Sequence, residues 1–211
     1  MKTTVLFISI LFVINCSYGQ VSFGIKSGIN IATVKDINSD PVNRIGWHAG
    51  ALANIPIHKK ISVQPELLFS SKGYRYIGDL NETNKSSIRL NYLTAPILLS
   101  YKIDYKTSLF LGPEIGYLLS AYLLFPNKEK FNVSNNYPVK LDLGLDIGLS
   151  YKIIKKVGLE ILYNYGFKNM YITDAVGVRI GERLAGNRVF QLGCFYSFAS
   201  FKKINNHHFY S

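Results

Sequence analysis

Residues 141–151 read Leu-Asp-Leu-Gly-Leu-Asp-Ile-Gly-Leu-Ser-Tyr, which is the clearest structural signal in the chain. Every odd position is apolar or aromatic, and every even position is Asp, Gly or Ser. A strand places successive side chains on opposite faces, whereas a helix would scatter these residues around its circumference. The stretch therefore predicts a β-strand with one apolar face and one polar face.

Seven further segments show the same alternation, less cleanly in the third and fourth strands. They are 21–34, 44–57, 61–74, 91–102, 108–122, 157–171 and 188–198. In the segment 44–57, the apolar Leu52 is the exception on the otherwise polar face. Aromatic residues near the strand ends are typical of the girdles of membrane barrels. Those toward one end are Tyr101, Tyr151, Tyr196 and Phe198, and those toward the other are Trp47, Tyr117, Tyr163 and Tyr165.

The connections between these segments alternate in length. The short ones are 58–60, 103–107 and 152–156, and the long, polar ones are 35–43, 75–87, 123–137 and 172–187. Outer-membrane barrels combine an even number of strands with short periplasmic turns and longer external loops. The sequence predicts an all-β fold, an eight-stranded antiparallel up-and-down transmembrane β-barrel. An open sheet edge in lipid would leave backbone groups unpaired, so we expect the sheet to close.

Residues 1–19 have the features of a cleaved signal peptide. Lys2 precedes an apolar run at 5–14, and Cys16-Ser17-Tyr18-Gly19 supplies small residues for cleavage. The run has about ten residues, too few for a membrane-spanning helix of about twenty. Lipid attachment at Cys16 is the alternative, disfavoured because Asn15 stands where a small residue is required. We expect the barrel to occupy residues 20–198 and a C-terminal tail to follow at 199–211.

The mature chain is basic and has one cysteine. Without Lys2, 23 basic and 13 acidic residues remain, an excess of ten. Export and the lack of any known binding motif argue against nucleic acid as the partner. Cys194 cannot form an internal disulfide alone, so stability must come from another source. Although 48% of residues are hydrophobic, no apolar run after residue 20 is long enough for a transmembrane helix.

Five short motifs resemble the PorT-like outer-membrane β-barrel family of the Bacteroidetes. They are FGIKSGIN at 23–30, QPELLFSSKG at 64–73, NYLTAP at 91–96, LGPEIG at 111–116 and YNYG at 163–166. Two features depart from the family: Thr94 replaces an acidic residue, and the chain continues beyond Phe198. The resemblance implies an outer-membrane barrel. The family takes its name from a protein associated with secretion, so an accessory role in secretion is one implied function.

Eight polar residues are predicted to face the barrel lumen. They are Lys26, His48, Glu66, Lys72, Glu114, Asp142, Asp146 and Glu160. Eight strands leave a lumen that side chains can fill, so we expect an internal network of ion pairs and hydrogen bonds. The alternative is a path for protons or ions, or a site for a small polar ligand.

The external loops are predicted to carry many basic residues. They are Lys35, Arg44, Arg75, Lys85, Arg89, Lys128, Lys130, Arg179, Arg183 and Arg188. Such residues pair with the phosphates of lipopolysaccharide through charge alone. The alternative is a recognition surface for a partner protein or a polysaccharide.

The sequence contains no arrangement typical of an enzyme. His48 has no nucleophile and orienting carboxylate at a recognisable spacing. His207-His208 lacks the partners of a designed metal site, and no cofactor is expected. We expect a structural or protein-interaction role in the outer membrane, with a ligand-binding or transport barrel as the alternative. A soluble lipocalin-type barrel would point every Leu and Ile inward, which is too much volume for eight strands.

We predict that the protein isolated from the cell envelope begins at Gln20. Because cleavage removes Cys16, the substitution Cys16→Ala should leave export unchanged. N-terminal sequencing checks the first point, and incorporation of a labelled fatty acid at Cys16 would contradict both.

Overall fold

The computed structural model describes residues 21–34, 42–77, 85–127, 129–167 and 186–198. The predicted signal peptide, the tail at 199–211 and His207-His208 lie outside these residues. Among the described residues, no helix is long and apolar enough to cross a membrane.

The described chain consists of antiparallel strands and one short 3-10 turn. The strands are β1 (Ser22–Val34), β2 (Val42–Pro56), β3 (Ile61–Ile77), β4 (Lys85–Lys102), β5 (Thr107–Leu124), β6 (Lys130–Asn132), β7 (Leu141–Lys152), β8 (Val157–Gly166) and β9 (Asn187–Ser197). The turn covers Ser134–Asn136. Eight of these strands form the wall of the barrel, while β6 pairs only with the end of β5.

The sheet closes into a barrel. Neighbouring strands pair in chain order, and β9 returns to pair with β1 from Gly24↔Ser197 to Val34↔Asn187. The pairing of β4 with β5 completes the ring. Twelve residues in β7 rise about 40 Å along the strand, or about 30 Å along the axis at a typical tilt. That height covers the apolar band of an outer-membrane barrel.

The alternation seen in the sequence separates the two faces of the sheet. In β7 the odd-numbered residues from Leu141 to Tyr151 are exposed on the outer wall, and most even-numbered ones are buried in the lumen. The outer wall carries large exposed apolar side chains on every barrel strand, including Ile25, Leu67, Ile97, Leu111, Ile147 and Ile161. A continuous apolar belt of this kind is a surface for lipid. Both predicted aromatic groups also face outward.

The strands differ from the prediction mainly at the loop end. β3 and β4 extend into the predicted loop 75–87, to Ile77 and from Lys85, because their backbone pairing continues beyond the apolar alternation. β8 ends at Gly166 rather than at residue 171. The loop predicted at 123–137 contains β6 and the 3-10 turn, which alternation could not reveal because three-residue elements carry too little pattern.

At one position near an irregularity in the sheet, the backbone conformation requires a glycine. Gly73 has φ +127°, a conformation that L side chains rarely adopt. It lies in β3 opposite Arg89, close to the register shift between β2 and β3 at Asn43/His48. Such shifts bend a strand and re-aim its side chains.

A side chain holds the short turn between β4 and β5. Asp104 Oδ1 accepts hydrogen bonds from the backbone N–H groups of Lys106 and Thr107, both at 2.7 Å. These bonds favour the charged carboxylate and lower the pKa of Asp104 below its ordinary 3.8. Their contribution to stability is therefore complete above pH 3.8 and is lost as the pH falls through the lowered value.

We predict that Gly50→Val destabilises the barrel by about 1–3 kcal/mol, since overpacking costs that much. A Cβ at Gly50 would lie 2.0 Å from the carbonyl oxygen of Leu67, so the strands must separate. Urea unfolding, followed by comparing boiled and unboiled samples on gels, measures the change. The matched control is Ala51→Val on the exposed outer face, and equal midpoints for the two variants would contradict the prediction.

Candidate functional site

The lumen contains all eight polar residues that the sequence places there. Each is at most 5% exposed. The positions follow from the alternation of each strand, which directs every second side chain inward. The structure gathers seven of them into two ion-pair clusters and places His48 in a separate hydrogen-bond network with uncharged partners.

The first cluster surrounds Lys26 on β1. Its Nζ donates a hydrogen bond to Glu66 Oε2 on β3 at 2.8 Å and another to Glu160 Oε1 on β8. Gln64 Nε2 also donates to Glu66 Oε1 at 2.8 Å. One ammonium group therefore joins three strands across the lumen.

The second cluster surrounds Lys72 on β3. Its Nζ donates to Glu114 Oε1 on β5 at 2.7 Å and lies 3.4 Å from Asp142 Oδ2 on β7. Asn164 Nδ2 lies 3.1 Å from Glu114 Oε1 and 2.6 Å from Asp146 Oδ1. From β9, Asn187 Nδ2 donates to Asp142 Oδ2 at 2.7 Å. This cluster links five strands.

His48 bonds to an amide rather than to a carboxylate. Its Nδ1 lies 2.7 Å from Asn30 Oδ1, and Asn30 Nδ2 donates to Ser70 Oγ at 3.0 Å. Hydrolytic triads need an acid that orients the histidine. In the described part of the chain, no three His, Cys, Asp or Glu side chains form a group that could hold a metal ion.

Buried ion pairs are sensitive to the loss of one partner. Removing a charge from water costs several kcal/mol, and a good partner offsets this cost. Breaking one member of such a pair therefore costs about 3–5 kcal/mol, while neutralising all members together is often tolerated. Lys26 and Lys72 both belong to buried ion pairs of this kind, since their side chains are at most 1% exposed.

Apolar side chains fill the lumen at the loop end. Tyr74, Tyr92 and Tyr137 are almost fully buried there, together with Leu90 and Leu118. The hydroxyl groups of Tyr74 and Tyr137 lie 3.4 Å apart. Tyr137 comes from the loop after the 3-10 turn, so that loop folds back over the lumen.

A small polar vestibule lies at the short-turn end. Its lining includes Ser100, Ser108, Ser150, Lys102, Lys152 and Glu160. Its volume is about 60 Å³. The first ion-pair cluster borders this vestibule through Glu160, which is one of its lining residues.

Several uncharged residues of these networks were not predicted. Asn30, Gln64, Ser70, Asn164 and Asn187 all occupy inward positions of their strands. Polarity and inward alternation mark Asn30, Gln64, Ser70 and Asn164 in the sequence, although the predicted network contains only charged residues and histidine. Asn187 lies in the predicted loop 172–187, where no alternation applies. Tyr137 lies in a loop, where no periodicity applies, and gave no signal.

The predicted external basic residues have different surroundings. The guanidinium of Arg188 stacks 3.6 Å from the ring of Tyr165 and donates to the carbonyl of Gly166 at 2.7 Å. Lys130 lies 3.7 Å from the ring of Tyr122. Arg75 and Arg89 occupy neighbouring positions on the paired strands β3 and β4, and the buried Arg44 of β2 lies near both. Lys35, Lys128, Arg179 and Arg183 lie outside the described residues, as does the side chain of Lys85.

A profile of the family described as "Outer membrane protein beta-barrel domain" matches residues 15–171. No curated protein is significantly similar in sequence. Among solved structures, Neisserial surface protein A is similar with a TM-score of 0.56 at 13% identity, over 85% of this chain and 100% of that one. The attachment invasion locus protein Ail of Yersinia pestis gives a TM-score of 0.46 at 15% identity, over 85% and 100%. E. coli outer membrane protein W gives a TM-score of 0.46 at 12% identity, over 86% of this chain and 100% of that one.

We predict that Lys72→Met destabilises the barrel by about 3–5 kcal/mol, because it leaves two buried carboxylates without their ammonium partner. The triple variant Lys72→Met/Glu114→Gln/Asp142→Asn should recover most of that loss, since it removes the charges together. Urea unfolding followed by the fluorescence of Trp47, the only tryptophan, measures both. A single variant as stable as the wild type would show that this ion pair is not needed.

Proposed function

Since this chain belongs to the outer membrane protein beta-barrel domain family, we propose that it is a non-conducting barrel with a structural or protein-interaction role in the outer membrane. The observation that carries the proposal is the filled lumen. An eight-stranded barrel has an interior just wide enough for side chains. Here two ion-pair clusters and a layer of tyrosines occupy it.

The external loop around β6 supports a role in protein interaction. Phe125 and Phe131 are exposed there, and their rings meet edge to face with centroids 5.8 Å apart. Aromatic side chains are enriched in the cores of protein interfaces. We take an envelope protein as the partner class. An accessory role in secretion, and placement in the PorT-like group of the Bacteroidetes, rest on the sequence motifs alone.

A second candidate function is the binding or transport of a small ligand. The vestibule favours it, because serine and lysine side chains converge on one cavity. Ligand sites usually have about 300–1,000 Å³, whereas this cavity has about 60 Å³. At about 10–15 Å³ per water, it suits a few solvent molecules better than a ligand, so we rank this function second.

We propose no enzymatic activity and no cofactor. His48 is held by Asn30, and its contacts do not include the carboxylate that general base catalysis would use. We also propose that the signal peptide is removed between Gly19 and Gln20, which leaves the barrel strands as the means of membrane attachment.

We predict that the purified protein gives no steady conductance in planar lipid bilayers, because side chains fill the lumen. The matched variant is Tyr74→Ala/Tyr92→Ala/Tyr137→Ala, which widens the loop end of the lumen while keeping the ion pairs of Lys72, and it should raise conductance above the wild type. The folded state of both is checked by heat-modifiable gel mobility.

Steady, large conductance of the wild-type protein would overturn the proposal and favour transport.

To separate a structural from an interaction role, a photo-crosslinker replaces Phe131. A discrete crosslinked protein that disappears when the crosslinker is moved to Ile147 in the lipid belt indicates interaction. Its absence at both positions indicates a structural role.

A further inference from the structure

Two arginines lie on the outer wall at its external end, and a third, buried arginine lies beside them. This arginine group consists of Arg44 on β2, Arg75 on β3 and Arg89 on β4. Arg44 lies within the electrostatic reach of both others. β4 has 18 residues, more than the 9–11 that cross a membrane, so its first residues extend above the lipid.

The register of the sheet places Arg75 and Arg89 on the outward face. On β4, Leu93 faces lipid, and every second residue above it, through Asn91 and Arg89, shares that face. Arg75 pairs with Ser87 in the same unbroken register and therefore also points outward. Arg89 lies opposite Gly73, which has no side chain to cover it.

Arg44 supports the group from within the sheet. Its Nη1 donates to the carbonyl of Lys72 at 3.0 Å and lies 3.3 Å from Ser71 Oγ. Ser71 pairs with Asn91 on β4 and is only 2% exposed, so these contacts of Arg44 are buried. Arg44 lies within the stretch of β2 where the register with β3 shifts, and its side chain is buried there.

The arginine group has no acidic partner among the described residues. The carboxylates described there lie in the lumen, at the periplasmic turn or in the external loop: Glu66, Glu114, Asp142, Asp146, Glu160, Asp104 and Glu129. None forms an ion pair with Arg44, Arg75 or Arg89. The Nε of Arg89 is buried and has no hydrogen-bond partner in the described part of the chain. Guanidinium groups gathered without carboxylates form a site for an anion.

The surface beneath the group is apolar. The rings of Trp47 and Phe69 stack there with centroids 4.9 Å apart, and Leu93 pairs with Phe69. An anion bound by the arginines would therefore sit directly above acyl chains that cover these rings. Beside the group, Lys130 and Tyr122 continue the basic and aromatic surface on β5 and β6.

We propose that the arginine group binds a phosphate on the headgroup of an outer-leaflet lipid, of the lipopolysaccharide class. Arg75 and Arg89 contact the phosphate, while Arg44 adds positive charge from behind. The acyl chains lie on Trp47, Phe69 and Leu93. The inference rests on the proposed function only for the membrane orientation, and it does not depend on whether the lumen conducts.

The test is binding of bisphosphorylated lipid A to the mature full-length barrel in detergent, measured by native mass spectrometry. Because charge-assisted bidentate pairs carry the contact, Arg75→Gln/Arg89→Gln should weaken binding by about tenfold or more. The matched control, Lys102→Gln/Lys152→Gln, removes the same charge at the periplasmic end and should leave binding unchanged. Arg44 is kept because its bonds to β3 serve folding, and heat-modifiable mobility confirms that each variant is folded.

Two further probes identify the source of the phosphate. Lipid A from which both phosphates are removed should bind as weakly as the double variant, and inorganic phosphate should bind far more weakly than the lipid. Equal binding of the dephosphorylated lipid, equal binding of inorganic phosphate, or equal loss in the control variant would each overturn the proposal. None of these outcomes depends on conductance, so the lipid-binding proposal can be overturned while the proposed function stands, and the reverse.

Discussion

The structure depends on one constraint: in hydrocarbon, every backbone N–H and C=O needs a partner within the protein. The pairing of β9 with β1 meets it by removing the last free edges of the sheet. Closure in turn requires each strand to turn one face toward the lipid and the other toward the lumen. The strict alternation in β7 is the consequence of that requirement.

Closure with eight strands also determines the interior. The lumen is narrow, so opposite side chains meet, and any buried charge must find its partner there. Lys26 and Lys72 each join strands that are distant in the sequence, since Lys26 and Glu160 are 134 residues apart. In a barrel whose described cysteine, Cys194, is free, these contacts contribute long-range links that a disulfide would otherwise supply. They also help to specify which side chains face inward.

The two ends of the barrel have different chemistry. The short-turn end has a small polar vestibule, tight turns such as that of Asp104, and lysines at its rim. At the loop end, β3 and β4 extend furthest, Tyr137 covers the lumen, and Arg75 and Arg89 face outward. The protein therefore presents a compact surface at the short-turn end and a more elaborate one at the loop end. The interaction functions proposed for it are assigned to the external end.

The sequence by itself determined the strands, their two faces and the eight inward polar residues, because alternation has the same period in the sequence as in a strand. It could not show which lysine pairs with which carboxylate, since that depends on the stagger between strands. Tertiary structure alone placed Tyr137 over the lumen, because a loop has no periodicity. It also brought Arg75 and Arg89 together through the register of β3 with β4, and placed the buried Arg44 beside them. Such a register arises from pairing between strands and leaves no pattern within either one.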